Sequence, residues 1–180
     1  MASAAALALA ISGSVSTAAT PTGKTDVISM ELTKGALKFV GPQTVTVGDQ
    51  LEIVNKTNPR QVGPHTFSLV TKGSIPTTKA AQNNCFTPKH ICMAIAKWHG
   101  TNGNGPVTKN PVKAGLPGWD TLGSLTKTGD SWFTGEKKSG TSIEQPVSAA
   151  AGTTIYFMCA IHPFMHGSIE VVAPTGVPGV

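Results

Sequence analysis

The chain contains 180 residues, of which 39% are hydrophobic and 13% are charged, and it carries 20 glycines and 13 prolines. This length accommodates one domain with its own hydrophobic core, and the composition excludes a disordered chain and argues against a helical bundle. The formal net charge of +5 comes from scattered lysines, without a basic cluster interleaved with aromatic residues, so we expect no nucleic acid. The charge indicates either a solvated surface or a preference for acidic protein partners.

The chain begins with an uncharged segment, and Lys24 is the first charged side chain. Residues 4–11 are apolar, and small residues follow them up to Ala19. This pattern is typical of a secretory signal, which we predict over residues 1–19, although the usual positive start is missing and an apolar linker is the alternative. No stretch is long enough to span a membrane as a helix, so we expect a soluble periplasmic or secreted protein.

Short alternating or β-branched runs bounded by glycine and proline predict the strands. In the first half of the chain these are Asp26–Leu32, Ala36–Val40, Gln43–Val47, Gln50–Asn55 and His65–Val70, with a turn at Lys34-Gly35. Near the end they are Asp130–Thr134, Ser142–Val147, Gly152–Met158 and Ser168–Val172. Many short strands separated by turns are typical of a sandwich, so we predict an all-β Greek-key β-sandwich that forms a single domain over residues 24–174.

The strand pattern is interrupted between residues 71 and 128, where turn clusters dominate. One helix is suggested within Ala80–Lys97, with Ile91–Lys97 as its narrower position. We interpret residues 71–128 as a long, loop-rich insertion in the sandwich. Insertions of this length in a compact domain often form a functional surface.

Three cysteines are present, which is an odd number for an exported protein. Cys85 and Cys92 lie close together in CFTPKHIC, and a disulfide between them is the simplest interpretation. The alternative is a second metal site formed by these two cysteines with His90 and His99. If no such site forms, we predict that both histidines lie in surface loops. Cys159 then remains unpaired and needs another role.

The segment YFMCAIHPFMHG places Cys159, His162 and Met165 at steps of three residues after a predicted strand. A type 1 copper ion takes a thiolate and two imidazoles in a trigonal plane with a weak axial thioether. Three of these donors lie in this loop, and His65, which follows Pro64 at the start of another predicted strand, supplies the fourth. Because a thioether is a poor zinc ligand, Met165 favours copper over zinc.

The residues beside these four have simpler interpretations. His166 is an alternative to Met165 as axial ligand, but we expect it to be exposed. Phe157 and Met158 precede the cysteine, and we predict that they pack in the core.

The C-x-x-H-P-F-M-x-G loop and the upstream Pro-His pair resemble the cupredoxin family of blue copper proteins, in particular amicyanin and plastocyanin. The resemblance is strongest over Thr44–Val70 and Gly152–Val172. It implies a cupredoxin-like sandwich that binds one type 1 copper ion through His65, Cys159, His162 and Met165.

The resemblance also implies a function. His162 would present its edge at the surface, ringed by Pro163 and Phe164, and would pass the electron. Members of the family carry single electrons between redox partner proteins and catalyse nothing on their own, so we expect a monomeric one-electron carrier that is not an enzyme. A periplasmic copper chaperone or storage protein is the alternative, and a recognition module on the same scaffold is a third possibility.

Two features depart from the family pattern. Thr66 follows the first histidine where the family often has asparagine, and its hydroxyl could still donate a hydrogen bond near the cysteine sulfur. A span of 93 residues separates His65 from Cys159, which is more than a minimal member needs. The insertion could therefore cover the copper face or dock a partner.

Overall fold

The computed structural model describes residues 23–101, 113–115, 117–135 and 138–175, so the predicted signal segment at 1–19 lies outside the described residues. The described strands are β1 (Thr25–Thr33), β2 (Ala36–Val40), β3 (Thr44–Thr46), β4 (Gln50–Asn55), β5 (Thr66–Leu69), β6 (Lys113–Ala114), β7 (Ser131–Phe133), β8 (Ser142–Pro146), β9 (Thr154–Met158) and β10 (His166–Val172). The described helices are α1 (Pro59–Val62), α2 (Lys79–Asn83) and α3 (Ile91–Trp98), with a 3-10 turn at Lys72–Ser74. Among these helices, none combines the length and the apolar character that crossing a membrane requires.

The strands form two sheets that pack face to face. One sheet has the order β2-β1-β4-β8, and the other has the order β3-β10-β9-β5-β7-β6. Most neighbours are antiparallel, but β1 pairs parallel with β4 and β3 pairs parallel with β10. The chain crosses between the sheets after β2, β3, β4, β7 and β8. The predicted all-β Greek-key sandwich is therefore confirmed.

The sequence of β4 shows how the core between the sheets is filled. Leu51 and Ile53 are fully buried, whereas the residues that alternate with them along the strand are partly exposed. They share a core cluster with Phe67 and Ile155 of the other sheet. Asn55 is the next inward residue of β4 and is also fully buried. The inward face of this strand therefore changes from apolar to polar at its end, close to the candidate site.

The connection between β1 and β2 is a two-residue hairpin. Thr33 pairs with Ala36, and the two residues between them, Lys34 and Gly35, have φ angles of 51° and 78°. Positive φ at both central positions defines a type I′ turn, whose twist matches that of the flanking strands. The predicted turn is confirmed.

Every predicted strand forms, and the ends differ from the predictions by no more than two residues. The helix predicted over Ile91–Lys97 is confirmed as α3. Sequence reasoning missed α1, α2 and β6, which are two to five residues long. For α1 the sequence carried a local signal, the Asn58-Pro59 pair. In the structure Asn58 caps the helix by accepting from the Arg60 backbone N–H at 3.0 Å, and Pro59 occupies the first turn.

The insertion at 71–128 builds a second core cluster on the outside of the β5–β9 sheet. α3 contributes Ile91 and Ile95, and β9 and the residues after it contribute Met158 and Ala160. Phe157 and Cys159 point instead into the main core, as alternation along a strand requires. The insertion therefore packs directly behind the cysteine, and Phe157 and Met158 are packing residues as predicted. The division into a single domain with an insertion stays a prediction.

The cysteines of the insertion are paired, and one of its histidines is not where we predicted it. Cys85 and Cys92 form a disulfide, which confirms the predicted pairing and removes both sulfurs from the alternative second metal site. His90 is exposed, as predicted. The prediction that His99 lies in a surface loop is wrong, because this residue is only 2% exposed. It directly follows α3, and its Nε2 lies 2.8 Å from the hydroxyl of Ser131 on β7.

Candidate metal centre

Pairing between β5 and β9 brings the two halves of the site together. His65 immediately precedes β5 and Cys159 immediately follows β9. The strands are antiparallel neighbours with Ser68 opposite Met158, so the start of β5 lies beside the end of β9. The Thr66 backbone N–H donates to the Cys159 sulfur at 3.4 Å across this junction. The sheet thus joins residues that are 94 positions apart in the chain.

Three of the four predicted ligands form one compact cluster. The Cys159 sulfur lies 3.8 Å from Nδ1 of His65 and 3.7 Å from Nδ1 of His162. The donor atoms of all three residues lie within 4.8 Å of one another, which is a group that could hold a metal ion. His65 and Cys159 are fully buried, and His162 is half-buried.

These separations fit a metal ion of the first transition row. Bonds of about 2.3 Å to sulfur and about 2.0 Å to nitrogen, set about 120° apart, separate sulfur from nitrogen by about 3.7 Å. The two sulfur–nitrogen distances in the cluster match that value. One thiolate with two imidazoles is also the donor set of a type 1 copper site. The residues present therefore fit a copper ion.

The backbone of the loop after β9 closes through the fourth predicted ligand. The Met165 N–H donates to the His162 carbonyl at 2.8 Å, and the Cys159 N–H donates to the Met165 carbonyl at 2.9 Å. Met165 is 1% exposed and belongs to the same core cluster as Cys159. His166 is exposed, as predicted, and begins β10. The metal-binding roles of the four residues, and the axial position of Met165 in particular, remain predictions.

A short hydrogen-bond chain that sequence reasoning missed fixes the orientation of His65. The backbone N–H and the hydroxyl of Thr57 both donate to Oδ1 of Asn55, at 2.9 Å and 2.7 Å. Because the Thr57 hydrogen is used in this way, its oxygen must accept from Nε2–H of His65, 2.9 Å away. Nδ1 then carries the lone pair that faces the Cys159 sulfur. The sequence signal for this hydrogen-bond chain was Asn55, a polar residue at an inward-facing position of β4.

Burial determines the protonation of the metal-free cluster. It lowers the pKa of His65 to about 4, with a smaller contribution from the nearby His162. Burial also lowers the pKa of His162. A hydrogen bond to the backbone of Val62, at the end of α1, raises this pKa in part. Both imidazoles are therefore neutral at pH 7 and have a lone pair available for a metal.

Burial has the opposite effect on the thiol, because it raises the pKa of Cys159. Hydrogen bonds from the backbone of Thr66, His162 and Ile161 and from the Thr66 hydroxyl lower the same pKa in part. A metal that binds here must displace the thiol proton, and these donors then stabilise the negative sulfur.

The outer edge of the cluster is apolar. Phe164 is 52% exposed, and its ring packs edge-on against the His162 ring with centroids 5.9 Å apart. Pro163 is half-buried between them. The half-buried His162 is therefore the ligand candidate nearest to solvent, within an apolar surround.

No protein-family model and no curated protein matches the chain. Among solved structures, auracyanin A, a blue copper protein from Chloroflexus aurantiacus, is 18% identical with a TM-score of 0.43, over 84% of this chain and 99% of that chain. Auracyanin from Roseiflexus castenholzii is 14% identical with a TM-score of 0.40, over 82% and 96%. Amicyanin from Paracoccus versutus is 14% identical with a TM-score of 0.30, over 81% and 78%. We therefore infer the chemistry of this site from the residues of this chain.

Proposed function

We propose that this protein binds one copper ion in a type 1 site and carries single electrons between redox partner proteins. The proposed ligands are His65, Cys159, His162 and Met165. The observation that supports the proposal is the buried cluster of one sulfur and two imidazole nitrogens at separations of 3.7 and 3.8 Å. Copper, when bound, would supply the Cu(II)/Cu(I) couple.

Hydrogen bonds within the protein hold the donor residues in place. Thr57 orients His65 through Nε2, and strand pairing positions Cys159 beside Thr66. Two backbone hydrogen bonds close the loop between Cys159 and Met165. A site fixed in this way has little freedom to rearrange when the charge of its metal changes, which suits repeated one-electron transfer. The protein needs no acid, base or nucleophile for this role, and we expect no catalysis.

Electrons would enter and leave at His162. This ring is half-buried and is flanked by Phe164, which exposes 52% of its surface. An apolar patch of this kind can contact a partner without the cost of desolvating charges. The net charge of +5 favours a partner whose docking surface is acidic.

We place the protein in the periplasm or outside the cell, as a monomer. The Cys85–Cys92 disulfide supports this location, because disulfides persist in oxidising compartments. The apolar leader at residues 1–19 is the second supporting feature, since it has the pattern of a secretory signal.

An absorption spectrum of the copper-loaded protein tests the proposed function directly. A thiolate bound to Cu(II) should give an intense absorption band at about 600 nm, the blue band. We expect Cys159→Ser to lose the band while far-UV circular dichroism remains that of the wild type. A colourless protein that holds readily exchanged Cu(I) would contradict the carrier and support the chaperone or storage alternative.

The axial role of Met165 has its own test. Met165→Leu should keep the blue band but raise the reduction potential, because loss of the axial thioether favours Cu(I). Met158→Leu is the matched control, since Met158 is equally buried but lies in the insertion cluster. A potential that Met165→Leu leaves unchanged would mean that Met165 is not a ligand.

A further inference from the structure

A row of buried polar side chains crosses the β5–β9 sheet from the insertion to the candidate metal centre. Nε2 of His99 lies 2.8 Å from the hydroxyl of Ser131 on β7, and this hydroxyl lies 2.7 Å from that of Ser68 on β5. Ser68 in turn donates to the hydroxyl oxygen of Thr66 at 3.0 Å. All four residues are at most 4% exposed. Polar groups buried this deeply are costly unless they are hydrogen-bonded, so their arrangement is not incidental.

The number of hydrogens that each group can donate fixes which group is the donor in every bond of this row. A hydroxyl has one hydrogen to donate, and that of Ser68 goes to Thr66. Ser131 must therefore donate to Ser68, and its own oxygen must accept from Nε2–H of His99. Each group therefore donates to the next one along the row, from His99 in the insertion towards the candidate metal centre.

At the other end, the row reaches the cysteine. The Thr66 oxygen accepts from Ser68 and also from the Ala160 backbone N–H at 2.8 Å. The backbone N–H of Thr66 donates to the Cys159 sulfur at 3.4 Å, so this residue meets the row with its side chain and the sulfur with its backbone. Each bond in such a chain polarises the next, so a donor at the far end strengthens the bond by which Ser68 holds Thr66.

We infer that His99 is a positioning residue of the metal centre: through Ser131 and Ser68 it holds the side chain of Thr66, and with it the Thr66 backbone N–H that donates to the Cys159 sulfur. This inference rests on the proposed function and gives the insertion a role in it. Hydrogen bonds to the sulfur withdraw electron density from the thiolate and so favour Cu(I) over Cu(II). The insertion thereby raises the reduction potential of a site whose four proposed ligands lie outside it.

The first test is potentiometry of copper-loaded variants. His99→Leu removes the terminal donor and should lower the equilibrium constant for reduction by about threefold, equivalent to about 30 mV, with a shift of the blue band to longer wavelength. His99→Gln should restore both values, because its amide can donate from the position of Nε2. His90→Leu is the matched control, since His90 is an exposed histidine of the same insertion, and it should change neither value.

A double-mutant cycle separates the chain from a general packing effect. Ser131→Ala cuts the chain in the middle and should lower the potential to a similar extent. His99→Leu should then have no further effect in the Ser131→Ala background, because the path is already broken. Additive shifts in the double variant would overturn the inference.

Nitrogen-15 NMR of the metal-free wild type tests the direction of the chain without copper. We expect a hydrogen on Nε2 of His99 that exchanges slowly with solvent, and an unprotonated Nε2 would overturn the inference even if the variants fold poorly. A wild type that shows no blue band refutes the proposed function. A blue wild type whose folded His99→Leu variant keeps its potential and band refutes only the role of His99.

Discussion

His65 illustrates how single residues prepare the site before any metal arrives. Its backbone N–H donates to the Thr134 hydroxyl at 3.0 Å, and its ring donates to Thr57 at 2.9 Å. The backbone and the ring are therefore fixed independently. Thr57 is fixed in its turn by Asn55, which accepts two of its hydrogens. Partners of this kind set the tautomer and the direction of a ligand, and they influence metal affinity nearly as much as the ligand itself.

Thr57→Val tests this support of His65. Valine has nearly the shape of threonine but cannot accept from Nε2–H of His65, so we expect copper affinity to fall by about 10- to 100-fold. Competition with a chromogenic chelator measures the change. Thr126→Val, at an exposed threonine, is the control. Equal affinities of the Thr57 variant and the wild type would show that the tautomer of His65 does not depend on this bond.

The depressed pKa of His65 predicts acid sensitivity of the metal-free protein. Its pKa is about 4 in the folded chain and about 6.5 in the unfolded chain. As pH falls through this interval the unfolded state takes up the proton first, so stability present above pH 6.5 is lost progressively towards pH 4. For His65 alone the loss is at most about 3 kcal/mol.

Urea unfolding of the metal-free protein across this pH range measures the effect. His162 contributes in the same direction, because burial lowers its pKa too. His65→Gln should flatten the dependence, since glutamine does not titrate. A wild type whose free energy of unfolding is constant over the interval would contradict the prediction.

At the scale of elements, β9 and the residues after it connect the two cores. Phe157 and Cys159 face the main core, while Met158 and Ala160 face the cluster formed by α3. The backbone that carries the cysteine is thus packed from both sides. Through this packing, the described part of the insertion contacts the backbone beside Cys159.

The disulfide of the insertion should stabilise this second cluster without forming part of the site. Cys85 and Cys92 close a short loop with a sequence separation of 7 and are buried in the same cluster as Met158. Replacing both with alanine should lower the free energy of unfolding by about 2 kcal/mol. Urea unfolding of the metal-free protein measures the loss, with wild type reduced by dithiothreitol as the comparison. The blue band of the copper-loaded variant should remain, and an unchanged stability would contradict the prediction.

The whole molecule carries a net charge of +5, and removal of residues 1–19 as the predicted signal segment would not change it, because these residues contain no charged side chain. A positive protein attracts an anionic redox reagent over roughly the Debye length, which falls from about 30 Å at 0.01 M salt to about 8 Å at 0.15 M. We therefore expect the oxidation of the reduced copper protein by hexacyanoferrate(III) to slow severalfold over this range.

Stopped-flow absorbance at the blue band measures that rate. A cationic cobalt(III) phenanthroline complex is the matched oxidant, and its reaction should become faster with salt as repulsion is screened. Rates that respond to salt in the same direction for both oxidants would show that net charge does not steer encounter at the site.

The amino-acid sequence determined the strands, the sandwich class, the disulfide and the candidate ligand set. Alternating burial and glycine turns are local patterns, and Cys159, His162 and Met165 lie within one short loop. Local patterns of this kind can be recognised without knowing which strands become neighbours.

Only the tertiary structure decided what surrounds the ligand candidates. Strand pairing brings His65 to Cys159, the end of β4 places Thr57 against His65, and the packing of α3 buries His99 against Ser131. His99 and Thr57 belong to a loop-rich insertion and a polar loop that carry no periodic pattern. The sequence therefore pointed to no role for Thr57 and misplaced His99 in a surface loop. Their roles arise from contacts between distant segments, which depend on how the sheets assemble and not on any local preference of the chain.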